Sequence, residues 1–192
     1  MSEHRTSDRV EHRRSGSSPG ARRRYLDAGM AVLAEQGYPG FKLATVCRRL
    51  GTTTGSFYHA FGSWSDFQNE LIAHWRQTKS EELIRVTSQI ADPTARLDAL
   101  TRVGLTLPHA TERAIRVWAA NDPAVAEVQR LVDDERVAAL TDAFATSSGD
   151  RGLAGRLANV AMQLLIGYEA GMGTLDDLAW AFATLRGGYA GA

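Results

Sequence analysis

Apolar residues recur at intervals of three and four along most of the chain, which is the spacing that places them on one face of an α-helix. The clearest example is a short stretch with apolar residues at i, i+3, i+4 and i+7, namely Leu43, Val46, Cys47 and Leu50. Gly51 follows, and glycine readily takes the left-handed conformation that ends a helix. A second short helix is predicted over residues 54–60, with Thr53 as its N-cap. Two short helices in such close succession predict a helix-turn-helix over about residues 42–61.

A longer helix is predicted ahead of this pair. Ser18 and Pro19 supply an N-cap followed by proline at the first helical position, and Gly37 is the predicted end. Three consecutive arginines, residues 22–24, crowd its first turn, where positive charge opposes the helix dipole. A bound phosphate would compensate for that repulsion, whereas arginines that point into solvent need no partner. The sequence leaves both alternatives open.

Residues 1–18 are rich in Ser, Arg, His, Asp and Glu and nearly free of large apolar side chains. Such a segment cannot bury enough apolar surface to offset the entropy of ordering, so we predict a disordered arm. Its arginines are interspersed with acidic residues, which favours a solvated tail over a segment that contacts a polyanion.

Helical spacing continues from residue 65 to near the end of the chain. One helix is predicted over about residues 65–88, another begins near Thr111, and two more begin at the N-cap-plus-proline pairs Asp92–Pro93 and Asp122–Pro123. Of the last two helices, the first is apolar around much of its circumference, so we expect burial on two sides. The charged run at residues 133–136 matches no motif, and we interpret it as a solvated face.

Charge is balanced overall but unevenly distributed along the chain. Residues 1–60 carry ten Lys or Arg against five Asp or Glu, and residues 61–192 carry twelve against seventeen. A short basic module for a polyanion attached to an acidic body gives this asymmetry, although a basic tail with a chance split gives it too.

Composition argues against several functional classes. A single cysteine allows no disulfide framework, and scattered histidines offer no metal site, so no metal or cofactor is expected. The sequence lacks a glycine-rich phosphate loop and a nucleophile elbow, which argues against an enzyme. It also lacks a signal peptide and an apolar run long enough for a membrane span, so we expect a cytoplasmic protein.

The run from Arg22 to Phe67 resembles the DNA-binding domain of the TetR family of transcriptional repressors. The resemblance rests on the link EQGYPGF, the segment VCRRLGTTTGSFYHAF and the following amphipathic helix. It implies an all-α homodimer with a three-helix DNA-binding domain, residues 19–64, and a roughly six-helix ligand-binding and dimerisation domain, residues 65–192. It further implies a palindromic double-stranded DNA operator and a small-molecule inducer that releases the protein from it.

The resemblance also assigns residues by position. The positions that match DNA contacts of the family are Lys42, Thr53, Thr54, Ser56, Tyr58 and His59. Lys42 and Tyr58 are predicted to contact phosphates, and so are Arg22, Arg23 and Arg24, which are added because of their cluster of charge. Thr54, Ser56 and His59 are predicted to contact base edges. Burial against Phe57 and Phe61, the expected anchors of this helix, is the alternative for Tyr58. Family members usually carry a lysine where this chain has Trp64, so one phosphate contact is in doubt or passes to Ser63, Ser65 or a backbone amide.

Two further sets of residues are predicted in the second domain, residues 65–192, which we call the body. Candidate walls of a ligand pocket are Trp75, Trp118, Met162 and Tyr168, although packing in a plain core explains each of them better. The last two helices resemble the pair that dimerises family members, and the predicted interface is Leu153, Leu157, Val160, Leu164, Leu175 and Phe182. Burial within a monomer is the alternative. A helical dimeric adaptor that binds protein rather than DNA stays open, as do the ligand and the choice between repressor and activator.

Overall fold

The computed structural model describes residues 19–187, and of Ser88 only the backbone. The predicted arm at residues 1–18, including the Ser18 cap, lies outside this range. Within it the chain is all-α, which confirms the predicted fold class. The helices are α1 (Pro19–Gly40), α2 (Leu43–Leu50), α3 (Thr54–Ala60), α4 (Trp64–Gln89), α5 (Pro93–Thr106), α6 (His109–Ala119), α7 (Pro123–Ser148), α8 (Arg151–Glu169) and α9 (Leu175–Gly187). None of the described helices is both long and apolar enough to cross a membrane.

The predicted caps set the helix boundaries. The Asp92 carboxylate accepts a hydrogen bond from the Ala95 amide at 2.7 Å, and the Asp122 carboxylate accepts one from the Ala124 amide at 3.0 Å. Each satisfies an amide that has no partner inside its own helix. Gly37 breaks α1 with φ of 66°, near the predicted end, and helical turns then resume as far as Gly40.

One hydrophobic core joins the helix-turn-helix to the body. Buried side chains of α1–α4 pack with Ile115 and Trp118 of α6 and with Val125 of α7. The Trp118 ring stacks on Tyr38 with centroids 5.8 Å apart. α1 therefore packs on both α6 and α4, and α2 and α3 share the same core.

Two further cores lie within the body. One is formed by side chains from α4, α5, α7 and α8, and the other by side chains from α8 and α9 with Leu107 at the end of α5. The most extensive contact between two described helices is that of α7 with α8. The small residues Ala154, Ala158 and Ala161 on the buried side of α8 allow this close packing.

Candidate nucleic-acid interface

The turn between α2 and α3 has the geometry that the sequence predicts. Gly51 lies in the left-handed region with φ of 63°, and its amide donates to the Arg48 carbonyl at 3.1 Å. The Thr53 hydroxyl then accepts from the Ser56 amide at 3.2 Å and caps α3. On the other side of the turn, the Tyr25 hydroxyl lies 3.2 Å from the Thr52 hydroxyl. The turn is thus bonded to α1 as well as to its own helices.

The third helix buries one edge and presents the rest. Phe57 and Ala60 are buried, and the Phe57 ring packs against Tyr25 and Phe61 with centroids 5.5 and 5.2 Å away. This confirms Phe57 and Phe61 as the anchors of α3. The exposed residues of α3 are Thr54, Gly55, Ser56, Tyr58 and His59.

Tyr58 lies on the exposed side of α3. Its side chain is 52% exposed, and the ring stands edge-on to Phe57 with centroids 5.4 Å apart. The alternative of burial is therefore excluded, and the hydroxyl group is available to a partner in solvent.

Several cations surround this exposed face. Lys42 immediately precedes α2 and is exposed, as are Arg23 and Arg24 in the second turn of α1. Arg23 donates to Asp27 at 3.1 Å, whereas among residues 19–187 Arg24 makes no ion pair. Arg48 was not among the predicted contacts, yet it is exposed in the last turn of α2, next to the turn itself. Its position on the polar side of an amphipathic helix could have predicted from the sequence that Arg48 is exposed.

Arg22 differs from its two neighbours. Its Nε donates to a Glu70 carboxylate oxygen at 3.2 Å, and its two terminal nitrogens reach the second Glu70 oxygen and the Ala60 carbonyl. The hydrogen bond to Glu70 raises the pKa of the guanidinium above its ordinary value. The guanidinium also lies 4.5 Å from the centre of the Phe61 ring. Arg22 therefore ties the end of α3 to α1 and α4, and its charge is largely used within the domain.

Trp64 and Cys47 belong to the core of this domain. The half-buried Trp64 ring lies 5.0 Å from Phe41 and 5.1 Å from Phe67, so this position supplies packing in place of a cation. Ser63 caps α4 by accepting from the Asp66 amide at 3.0 Å. Cys47 is buried, and its burial raises the pKa of the thiol. These environments suit packing residues rather than reactive ones.

This part of the chain is similar to a known protein family. Residues 26–68 match the family model described as bacterial regulatory proteins, tetR family. The amino-terminal domain is of the TetR type. We call α1, α2, α3 and the first turns of α4, most of which this match covers, the TetR-type domain. A comparison with curated proteins found no match.

Solved structures extend the likeness over most of the chain. A transcriptional regulator from Rhodococcus sp. Rha1 has a TM-score of 0.69 at 22% identity, over 88% of this chain and 95% of its own. A TetR transcription regulator from Haloarcula marismortui ATCC 43049 has a TM-score of 0.68 at 16% identity, over 89% and 95%. A protein from Saccharomonospora viridis, described as a candidate transcriptional regulator and solved with choline, has a TM-score of 0.72 at 19% identity, over 85% and 94%. The chain therefore has the fold of TetR-family regulators.

Behind the TetR-type domain, the body contains a cavity between α5, α7, α8 and α9. Its volume is about 60 Å³, and it is partly open to solvent. Met162 is the one predicted pocket residue in its wall. Trp75 and Trp118 lie in the core shared with the TetR-type domain, and Tyr168 packs edge-on to His109 with ring centroids 4.8 Å apart.

A network of buried charges lies between this cavity and the TetR-type domain. Glu112 and Glu169 are completely buried. Glu112 accepts from Arg136 at 2.9 Å and from the Trp75 indole at 3.3 Å, and Glu169 accepts from Arg116 at 2.5 Å. Burial raises the pKa of the Glu169 carboxyl, and the nearby Arg116 opposes that shift.

The interpretation of residues 133–136 as a solvated face was wrong for three of the four residues. Glu135 is half-buried and accepts from Arg76 at 3.0 Å and from the Ser80 hydroxyl, both on α4. Asp133 accepts from Arg116 at 2.8 and 3.1 Å, and Arg136 is held by Glu112. Asp134 alone is fully exposed, where it pairs with Arg130 at 2.5 Å. The interpretation failed because the partners of Asp133 and Arg136 lie on α6, out of reach of a pattern within α7.

Apolar side chains remain exposed on α8 and α9. Leu153, Val160 and Leu175 of the predicted interface are exposed, and Leu157 and Leu164 are half-buried. Phe182 is instead buried within the subunit, in the wall of the cavity. The most exposed apolar side chain of α9 is Trp180, at 71%. It was not predicted because it lies off the stripe of Leu175, Leu178, Phe182 and Leu185.

Proposed function

We propose that this protein is a transcriptional repressor that binds a near-palindromic DNA operator as a homodimer and is released from it by a small molecule in the body. The observation that carries the proposal is the exposed face of α3, where four polar side chains project beside exposed cations of α1 and α2. A second motif helix of this kind enters the major groove in helix-turn-helix proteins. Such a regulator acts where the chromosome lies, in the cytoplasm.

Contacts with DNA divide into two classes in this proposal. Lys42, Arg24 and Arg48 are placed to meet phosphates, which position the protein without reading sequence. Thr54, Ser56 and His59 are placed to meet base edges, which specify sequence. Thr53 already caps α3 through the Ser56 amide, so its hydroxyl acts mainly in holding the helix. Tyr58 adds a phosphate contact through its exposed hydroxyl.

The exposed apolar side chains of α8 and α9 support the homodimer. A two-fold dimer presents its two copies of α3 about 34 Å apart, or a multiple of that distance, so the operator has matching half-sites. Large apolar side chains exposed on two packed helices are typical of an interface between proteins. Leu153, Val160 and Trp180 are the side chains that a partner subunit would cover.

The cavity supports regulation by a ligand. Pockets for small molecules are concave and mostly apolar, with a few polar groups that orient the ligand. The relative from Saccharomonospora viridis holds choline, a cation. The wall of the cavity in this chain contains no Asp or Glu among the described residues, so a quaternary ammonium would lack a counter-charge. We infer that the effector here has a different chemistry.

The test is fluorescence anisotropy of the protein on a labelled fragment of its own upstream region, beside a scrambled fragment, at several salt concentrations. We expect tight binding to the upstream fragment alone. Lys42→Gln should weaken binding to every sequence and reduce the slope of log K against log salt by about 0.9 per subunit, which is about 1.8 for the dimer. His59→Ala should instead change the preference at one base position in each half-site. Equal, weak binding to both fragments would contradict the proposal and favour an adaptor that binds protein.

A further inference from the structure

The polar groups of the cavity have one sign of charge. Its wall is apolar apart from Thr101, Arg136 and Arg186. Arg186 pairs with Asp98, and its side chain is 46% exposed. Arg136 is only 11% exposed. The cavity thus combines apolar walls with one buried guanidinium and no carboxylate among its described lining residues.

The guanidinium of Arg136 has bonding capacity left. Its Nη2 donates to Glu112 at 2.9 Å. Its Nη1 is buried and, within residues 19–187, makes no hydrogen bond, although it forms a longer ion pair with an Asp133 carboxylate oxygen at 3.5 Å. A buried donor without an acceptor costs free energy that a ligand oxygen would recover. A planar guanidinium also matches a carboxylate at two points, which an ammonium or a hydroxyl cannot do.

We propose that the cavity binds an apolar molecule that ends in a carboxylate, with the aliphatic part between α5, α8 and α9 and the carboxylate on Arg136. The inference rests on the proposed function, since it takes this cavity as the effector site. It adds the chemical class of the effector and the residue that selects it.

Arg136 also connects the cavity to the TetR-type domain. It shares the buried Glu112 carboxylate with the Trp75 indole, and the Lys79 ammonium lies 4.0 Å from the same carboxylate. Trp75 and Lys79 both belong to α4, whose amino-terminal turns pack in the core of the TetR-type domain. A ligand carboxylate that draws Arg136 away from Glu112 therefore changes how α4 is held. This gives the ligand different affinities for two arrangements of the protein, which a release mechanism requires.

The first test compares three probes of equal chain length on the unaltered protein at neutral pH. Isothermal titration calorimetry would measure binding of decanoate, decanol and decyltrimethylammonium. We expect decanoate to bind at least about tenfold more tightly than decanol, since it adds a charge-assisted hydrogen bond, and decyltrimethylammonium to bind most weakly. Equal or tighter binding of either other probe would overturn the proposal. This comparison needs no variant.

The second test removes the guanidinium. Arg136→Gln should reduce affinity for decanoate about tenfold or more and leave affinity for decanol within about twofold. Arg186→Gln is the matched control, because Arg186 also lines the cavity and is also paired, with Asp98, but its side chain is exposed to solvent, whereas that of Arg136 is not. Circular dichroism would establish that each variant is folded, and if Arg136→Gln is not, the probe comparison decides. Unchanged affinity for decanoate in folded Arg136→Gln would overturn the assignment of Arg136.

DNA binding is measured separately, so the two proposals fail independently. Specific DNA binding without any preference for decanoate would leave the regulator in place and remove the ligand class. Selective binding of decanoate without DNA binding would leave the ligand class in place and remove the regulator.

Discussion

Arg22 of α1 and Glu70 of α4 form a two-point ion pair directly behind the end of α3, and the same guanidinium donates to the Ala60 carbonyl. Three helices of the TetR-type domain therefore meet at one side chain. The sequence alone placed Arg22 with Arg23 and Arg24 as a phosphate ligand. Its bonds within the domain make it a residue that positions α3.

The first prediction separates Arg22 from Arg24. The double change Arg22→Gln with Glu70→Gln leaves the net charge unaltered, but removes the ion pair. Because the pair is about one-third exposed, we expect a loss of about 1 kcal/mol in the free energy of unfolding. Operator affinity should fall, since α3 is held less firmly, with no change in the salt slope. Urea titration and anisotropy at several salt concentrations measure both.

Arg24→Gln is the matched control within the same helical turn. Because Arg24 has no ion pair within residues 19–187, its removal should leave stability unchanged and lower the salt slope by about 0.9 per subunit, which is about 1.8 for the dimer. A lower salt slope in the charge-neutral double variant would contradict the positioning role of Arg22.

The second prediction concerns Cys47. Burial raises the pKa of its thiol, so the native state holds the proton more tightly than the unfolded chain. The stability associated with this proton is present below the ordinary thiol pKa of 9.0 and is lost as pH rises above it. Cys47→Ala should therefore lose less stability than the unaltered protein between pH 8 and 10. Thermal melts across that range measure the difference, and identical pH profiles would contradict the prediction.

Labelling gives an independent measure of the same thiol. In native protein, Cys47 should react with a thiol reagent much more slowly than in urea, because the reactive thiolate is both scarce and covered. Fast labelling of the folded protein would mean that the turn between α2 and α3 opens readily.

Much of the fold follows from local signals in the sequence. The first residues of α5 and α7 could be predicted from Asp92–Pro93 and Asp122–Pro123, because a carboxylate cap and a proline act within one helical turn. The turn at Gly51 and the cap at Thr53 are local in the same sense, which is why the motif was predicted correctly. The burial of Phe57 and Phe61 follows from their helical spacing of four residues.

The buried charges could not be predicted in this way. Glu169 lies 53 positions from Arg116 along the chain, and Arg136 lies 24 positions from Glu112. A charge on an amphipathic helix is expected in solvent unless a partner from another helix meets it, and the sequence does not show which helices pack together. Because the sequence does not show which helices pack together, it suggested Trp75 and Trp118 as pocket walls and gave no signal for Arg136.

The third prediction tests the buried network through Glu112. Glu112→Gln removes the charge that pairs with buried Arg136, so it should lower the free energy of unfolding by about 3 kcal/mol. Glu127→Gln is the matched control, because Glu127 pairs with Arg130 in solvent on α7, and it should have no measurable effect. Denaturant titration at one protein concentration compares them. A loss of equal size in both variants would show that burial of Glu112 adds nothing.

The fourth prediction concerns the apolar face of α8 and α9. If a partner subunit covers Trp180, then Trp180→Glu places a charge in that interface and should convert the dimer to a monomer, which analytical ultracentrifugation would detect. Operator affinity should fall with it, because a monomer binds one half-site. Ile84→Glu is the matched control, since Ile84 is 62% exposed on α4, outside the predicted interface. It should leave the dimer intact, and a monomer from Ile84→Glu with a dimer from Trp180→Glu would move the interface from α8 and α9 to α4.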